Sequence, residues 1–198
     1  MRMFVAVRPP EEAIEDLDEF LSVRRAAGPF RWVLTDQLHL TLAFLAEVPD
    51  HRLDDLFERL AHAARRRTAF GTTIAGGGAF PDPARGRVLF ADLDLTPEAS
   101  TELDRLATGC RTAATTSGLE VDGQRFRPHL TLARIGRPTE LSSWVRLLGA
   151  YRGPAWSVEE IALVGSHLGE GPRRRPRYEV IETFGLRSGP RAGRFTAT

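Results

Sequence analysis

The sequence predicts an α+β fold in a single domain, and three observations carry that prediction. Roughly eight strand-like and four helix-like segments follow one another without strict alternation, which argues for α+β rather than a repeated βαβ unit. No linker long enough to separate independent domains interrupts them, and 198 residues with 42% hydrophobic content can bury one core or two small intimate lobes. The string His-Leu-Thr-Leu-Ala occurs twice, at 39–43 and 129–133, which suggests one site assembled from two halves.

Met3 to Val7 is an apolar run ended by Pro9 and Pro10 and reads as a strand buried on both faces. Glu11 to Ala27 places Ile14, Leu17 and Leu21 at helical spacing behind an acidic first turn, and stops at Gly28. Phe30 to Leu34 reads as a brief strand. Asp36 and Gln37 then turn the chain into the first repeat, whose strand runs on through Phe44, Leu45 and Val48. Pro49 and Asp50 open a helix with Leu53, Leu56, Phe57 and Leu60 on its apolar face; His51, His62 and Arg65 to Arg67 fall on its solvated side.

Phe70 to Ile74 is a strand that leads into Gly76, Gly77 and Gly78. A phosphate-binding Walker loop needs Gly-Lys-Ser or Gly-Lys-Thr, and this chain has no lysine, so the glycines read as a flexible loop, a bulge or a close backbone approach. Arg87 to Leu95 is a strand after a Pro-Asp-Pro turn. Pro97 to Ser117 is a helix whose stripe of Leu103, Leu106, Ala107, Cys110 and Ala114 marks Cys110 as a buried small residue rather than a nucleophile.

Gly118 to Pro128 is a polar connector, and Pro128 fixes the entry to the second repeat while favouring an extended Arg127. Leu141, Trp144, Val145 and Leu148 mark a shorter helix; Trp156 to Val164 and Tyr178 to Leu186 read as two closing strands. Between those strands, Ser166 to Arg177 carries Arg173, Arg174, Arg175 and Arg177. This reads as a solvated loop, with an RNA-backbone contact as the alternative. From Ser188 the Gly, Arg and Thr tail reads as flexible.

The 27 basic and 26 acidic residues nearly cancel, which argues against a general nucleic-acid coat and leaves local basic patches open. Every basic residue is arginine, so arginine is the permanent cation available to a phosphate and no lysine nucleophile exists. One cysteine excludes an intramolecular disulfide and a cysteine-rich zinc site. MRMFVAVRPPEE lacks the apolar stretch of a signal peptide, and no run approaches a membrane span; the expectation is a soluble cytoplasmic protein.

In a strand, His39 and Thr41 point to one face and Leu40 and Leu42 to the other; the same holds for His129 and Thr131 against Leu130 and Leu132. Core packing requires apolar volume, not the same His-x-Thr twice. If the strands lie side by side, two imidazoles and two hydroxyls converge. Two histidines can divide general-acid and general-base work near neutral pH, and the hydroxyls can donate to non-bridging phosphate oxygens. A zinc site is the main competitor, but neither strand offers a nearby carboxylate on the histidine face as third ligand. A Gly-x-Ser-x-Gly hydrolase elbow is absent.

These motifs, with WVLTDQLHLTLAFLAEV, the Phe80-Pro81 turn before RVLFADL, and RFRPHLTLAR, resemble the two-histidine phosphoesterase superfamily. Within it the chain is similar to the bacterial and archaeal RNA 2′,3′-cyclic phosphodiesterases, also called 2′-5′ RNA ligases. The resemblance implies two pseudo-symmetric lobes, each an antiparallel sheet with helices on its outer face, flanking a central cleft within one domain over residues 1–187. It implies His39 as proton donor, His129 as proton acceptor, and Thr41 and Thr131 as phosphate-holding groups, with no metal or cofactor. Arg134 and Phe44 are implied as substrate-binding residues; strict alternation puts both on the leucine face, so each role requires a bulge or strand end. The implied reaction opens a 2′,3′-cyclic phosphate at an RNA end, tRNA fragments included, to a 2′-phosphate, in a monomer. ATP-independent 2′-5′ ligation, hydrolysis of small cyclic nucleotides and non-catalytic binding of RNA ends are the alternatives.

Overall fold

Alternating and continuously apolar segments pair into one antiparallel sheet, and the computed structural model describes residues 1–28, 30–123, 125–171 and 174–189. Among these, nine strands form: β1 (Met3–Val7), β2 (Arg31–Trp32), β3 (Leu40–Leu45), β4 (Phe70–Phe80), β5 (Gly86–Asp94), β6 (Leu130–Thr139), β7 (Arg152–Val158), β8 (Glu160–His167) and β9 (Arg177–Gly185). The helices are α1 (Glu11–Ser22), α2 (Leu53–Arg65), α3 (Pro97–Thr116) and α4 (Ser142–Gly149). None is long and apolar enough to cross a membrane.

The sheet order is β7-β4-β5-β6-β3-β1-β8-β9, with β2 beside β6. It divides in the middle into two halves of four strands, and β6 and β3, the two repeat strands, occupy equivalent inner positions. Helices α1 and α4 close a core with Ile74, Leu89, Leu130 and Leu132; α2 and α3 close another with Val5, Leu40, Leu42 and Leu163. The expected α+β arrangement of two lobes is therefore present, each lobe burying the leucine face of one repeat. Cys110 is fully buried on the inner face of α3, and burial pushes its thiol up to about 12.

Several elements differ from the sequence expectation for definite reasons. Helix α1 stops at Ser22, where its apolar periodicity ends, and Val23 is 79% exposed. Gly28 is extended rather than a left-handed cap, and a Cβ there would lie 2.6 Å from the Phe30 ring, so close packing explains the glycine. The run expected as one strand from Trp156 is two, because the chain passes at Glu159 from pairing with β4 to pairing with β1 and β9. Gly76 to Gly78 lie inside β4, not in a loop. Gly76 has a φ of 73° at a register shift, while a Cβ on Gly77 would meet the Phe90 carbonyl oxygen at 2.4 Å. The expected tail from Ser188 lies outside the described residues from Pro190 onward, as does Arg173.

Candidate active site

Leu40 and Leu130, both fully buried, pair across the middle of the sheet and join β3 to β6. Continuing this antiparallel register by one residue sets His39 across from Thr131 and Thr41 across from His129. Each imidazole thus has the other repeat's hydroxyl as its cross-strand neighbour. Beyond this point the strands part: β2 pairs with β6 at Ala133 and Arg134, and Val121 pairs with Leu45 of β3. The opening is a cleft of about 650 Å³, within the range of small-ligand sites, and all six residues expected at the site line it.

Phe44 and Arg134 reach the cleft by the same device. Consecutive residues Val5 and Ala6 pair with Ala43 and Thr41, so Leu42 is an extra residue in β3; Leu89 and Phe90 likewise pair with Ala133 and Thr131, leaving Leu132 extra in β6. Each bulge restores the cleft face two positions later than the bulged leucine. Simple alternation therefore fails at the residue that follows each repeat, and one-residue insertions in the ladder are the reason.

Both histidines are held by their own backbone. His39 Nδ1 lies 2.7 Å from the Gln37 carbonyl oxygen and His129 Nδ1 lies 2.8 Å from that of Arg127. A carbonyl only accepts, so each Nδ1 carries the proton and each Nε2 is left for the cleft. The rings are packed on aromatics: His39 stacks on Phe4 at 4.5 Å with Tyr178 edge-on, and His129 meets Phe80 and Phe90 edge-on at 5.0 and 5.4 Å. The Arg127 guanidinium lies over both phenylalanines, at 4.8 and 5.3 Å, and so holds the residue whose carbonyl orients His129. Burial lowers His39 to about 4, with Arg134, His129 and Arg8 adding to the effect against the Gln37 hydrogen bond. Burial also lowers His129, which Arg127 and Arg134 depress further while the Arg127 carbonyl and Asp92 work the other way.

The cleft is cationic. Arg31, Arg134 and Arg175 line it, and so does Arg2, whose guanidinium lies 4.5 Å from the centre of the Phe44 ring. Arg175 corrects the expectation of a solvated loop, since it donates to the Trp32 carbonyl at 2.8 Å and Gln37 Nε2 donates to that of Pro176 at 2.8 Å. Arg177 instead pairs with Glu170 and Glu179. The sequence had no signal for Arg2 or Tyr178 as cleft residues, because each arrives from a distant element, nor for Gln37, which reads only as part of the turn before the first repeat; for Arg175 the signal was the arginine run, whose alternative reading was a contact to RNA. Among the described residues no three of His, Cys, Asp and Glu come together in a way that could hold a metal ion. A groove of about 660 Å³ between α2 and α3 is as large, but it lies on the leucine side of the sheet and contains neither repeat.

Gly78 makes the aromatic support possible: a Cβ there would fall 2.6 Å from Phe90 Cζ, and Phe90 is itself stacked on Phe80 at 4.4 Å. Gly78→Ala is expected to cost about 1–3 kcal/mol of stability by overpacking and to move the His129 resonances while leaving those of His39 in place. Denaturant unfolding and imidazole NMR check this; unperturbed His129 resonances would refute it.

The profile of the family described as LigT like Phosphoesterase matches residues 7–90 and 93–173, one segment around each repeat. An RNA 2′,3′-cyclic phosphodiesterase of Thermus thermophilus is 36% identical over 193 residues, covering 94% of this chain and 91% of that protein. A crystal structure of a protein from the same organism superposes with a TM-score of 0.73 at 34% identity, covering 95% of this chain and 99% of that one. Escherichia coli LigT complexed with 3′-AMP gives a TM-score of 0.74 at 28% identity, covering 93% and 97%.

Proposed function

Because the chain belongs to the LigT-like phosphoesterase family, we propose that it is an RNA 2′,3′-cyclic phosphodiesterase that opens the cyclic phosphate to a 2′-phosphomonoester by metal-independent, paired-histidine catalysis. The observation that carries the mechanism is the matched tethering of two Nδ1 atoms to backbone carbonyls, which leaves two Nε2 atoms for one cleft. His129 Nε2 takes a proton from water as its oxygen bonds to phosphorus. The bond from phosphorus to the 3′ oxygen breaks, and His39 Nε2–H delivers its proton to that oxygen. Thr41 and Thr131 donate to the non-bridging oxygens as charge accumulates there, and Arg134 offsets that charge. Phe44 supports the terminal nucleotide.

The test is phosphorus NMR of an oligonucleotide ending in a 2′,3′-cyclic phosphate, incubated with the protein and excess EDTA. Conversion to a 2′-phosphate is the expected result. A 3′-phosphate, or activity abolished by EDTA and restored by metal, would overturn the mechanism. No hydrolysis but joining of RNA ends would favour ligation, in which a ribose hydroxyl takes the place of water.

The pH dependence follows from burial. His39 must be protonated and His129 neutral, yet in the free protein His39 protonates only near 4 and His129 below its ordinary value. Raising the pH removes the proton from His39, and lowering it puts one on His129, so kcat/KM is expected to be bell-shaped with its maximum on the acid side of the ordinary histidine pKa of about 6.5. The substrate's negative phosphate raises both pKa values in the complex, so the kcat profile lies at higher pH. A rate constant independent of pH from about 4 to about 9 would contradict paired histidines.

A further inference from the structure

The two halves of the cleft match in geometry but not in charge. Ala6 and Val7 of β1 pair with Thr41 and Leu40, and Phe90 and Ala91 of β5 pair with Thr131 and Leu130. One step further along each register, Arg8 stands across from His39 and Asp92 across from His129. Strands β1 and β5 hold equivalent places in the sheet order, each beside its own repeat strand, so Arg8 and Asp92 are pseudo-symmetry mates of opposite sign. Directly opposed residues in an antiparallel pair have Cβ atoms about 4.5–5.5 Å apart, close enough for charge to matter.

We propose that Asp92 and Arg8 are positioning residues that divide the labour between two otherwise equivalent histidines, Asp92 stabilising the imidazolium that forms on His129 and Arg8 making protonated His39 the readier donor. This rests on the hydrolytic reading above. A base gains from a carboxylate that waits for its positive charge. An acid gains from a cation that urges its proton away.

The surroundings are consistent with this division. Asp92 is half-buried, and burial raises its carboxyl while Arg127 and His129 pull it down, so the carboxylate feels the imidazole it faces. His129 is also faced by Arg127 from the connector and Arg134 from its own strand, both of which oppose its protonation. Asp92 is the acidic group acting on it in the other direction. His39 is faced by Arg134, His129 and Arg8, all opposing protonation, and by the Tyr178 phenol edge-on. Arg134 acts on both rings and cannot distinguish them; Arg127 acts on His129 alone and against its protonation, so the Asp92 carboxylate, which faces both that guanidinium and the imidazole, is the group that offsets it, while Arg8 acts on His39. Arg8 is exposed and more screened by salt, so its share is the smaller.

The test is NMR titration of the imidazoles in the free, full-length protein. Asp92→Asn is expected to lower the His129 pKa by roughly half to one unit and leave His39 in place, and Arg8→Gln to raise His39 by a few tenths and leave His129 in place. Asp92→Asn should lower kcat about tenfold at little change in KM, with Asp92→Glu restoring most of both the titration and the rate. Arg8→Gln is a surface change that keeps the test open if Asp92→Asn does not fold. A folded Asp92→Asn that loses turnover without moving His129, an Arg8→Gln that leaves His39 unmoved, or a variant that moves both histidines alike overturns the proposal. The titration needs no substrate. Selective shifts in a protein that does not hydrolyse the cyclic phosphate would retain the charge asymmetry and reject the hydrolytic reading.

Discussion

Replacing His129 with alanine is expected to slow opening of the cyclic phosphate by on the order of 10² to 10⁴, and replacing His39 by a similar factor, because in the proposed mechanism each removes one of the two proton transfers of a single displacement. Groups that act in one step are not independent, so the double variant should be little worse than either single variant. Binding should change far less: the hydroxyls of Thr41 and Thr131 and the arginines of the cleft remain, and neither ring is needed to hold the product's phosphate. Single-turnover hydrolysis with product-affinity measurements separates the two effects. A loss below about tenfold for either histidine would show that the corresponding proton moves by another route.

Leu130→Ala is expected to destabilise the protein by about 3 kcal/mol, near the middle of the range for a fully buried leucine, and to lower Tm by about 10 °C for a chain of this size. Its consequence for activity should exceed that. Leu130 pairs with Leu40 at the register position that joins the two halves, and that pairing sets each histidine against the other strand's threonine. Leu103→Ala, in a residue just as buried on the inner face of α3 and remote from the cleft, is the control: similar loss of stability with kcat retained well below its Tm. Leu130→Met, which conserves volume, should recover most of both properties. If Leu130→Ala and Leu103→Ala reduce kcat alike, the junction has no special part in aligning the site.

The residues that were legible beforehand share one property, which is that their signal is local. Period-2 alternation in His-Leu-Thr-Leu marks a half-buried strand with a polar face, and its recurrence pointed to one shared cleft, which both repeats line. Helical periodicity located α2 to α4, with end shifts at single turns. Phe44 and Arg134 were legible only through the resemblance, because alternation points them at the core and two bulges turn them back to the cleft. The glycines of β4 were ambiguous for a similar reason: glycine announces an unusual backbone or a close neighbour, and the neighbour, Phe90, belongs to another strand.

By itself, then, the sequence determined the strand faces of both repeats and the positions of the helices, and it singled out His39, Thr41, His129 and Thr131 as the candidates to handle a proton or a phosphate. Tertiary structure alone decided that Leu40 meets Leu130, that Arg175 and Gln37 tie a distant segment over the cleft, and that the continued registers of β1 with β3 and of β5 with β6 set Arg8 and Asp92 opposite the two histidines. Side-chain periodicity is written along one strand. Which residues face each other across strands depends on register, and register is set by the joint burial of both partners, which neither strand encodes alone.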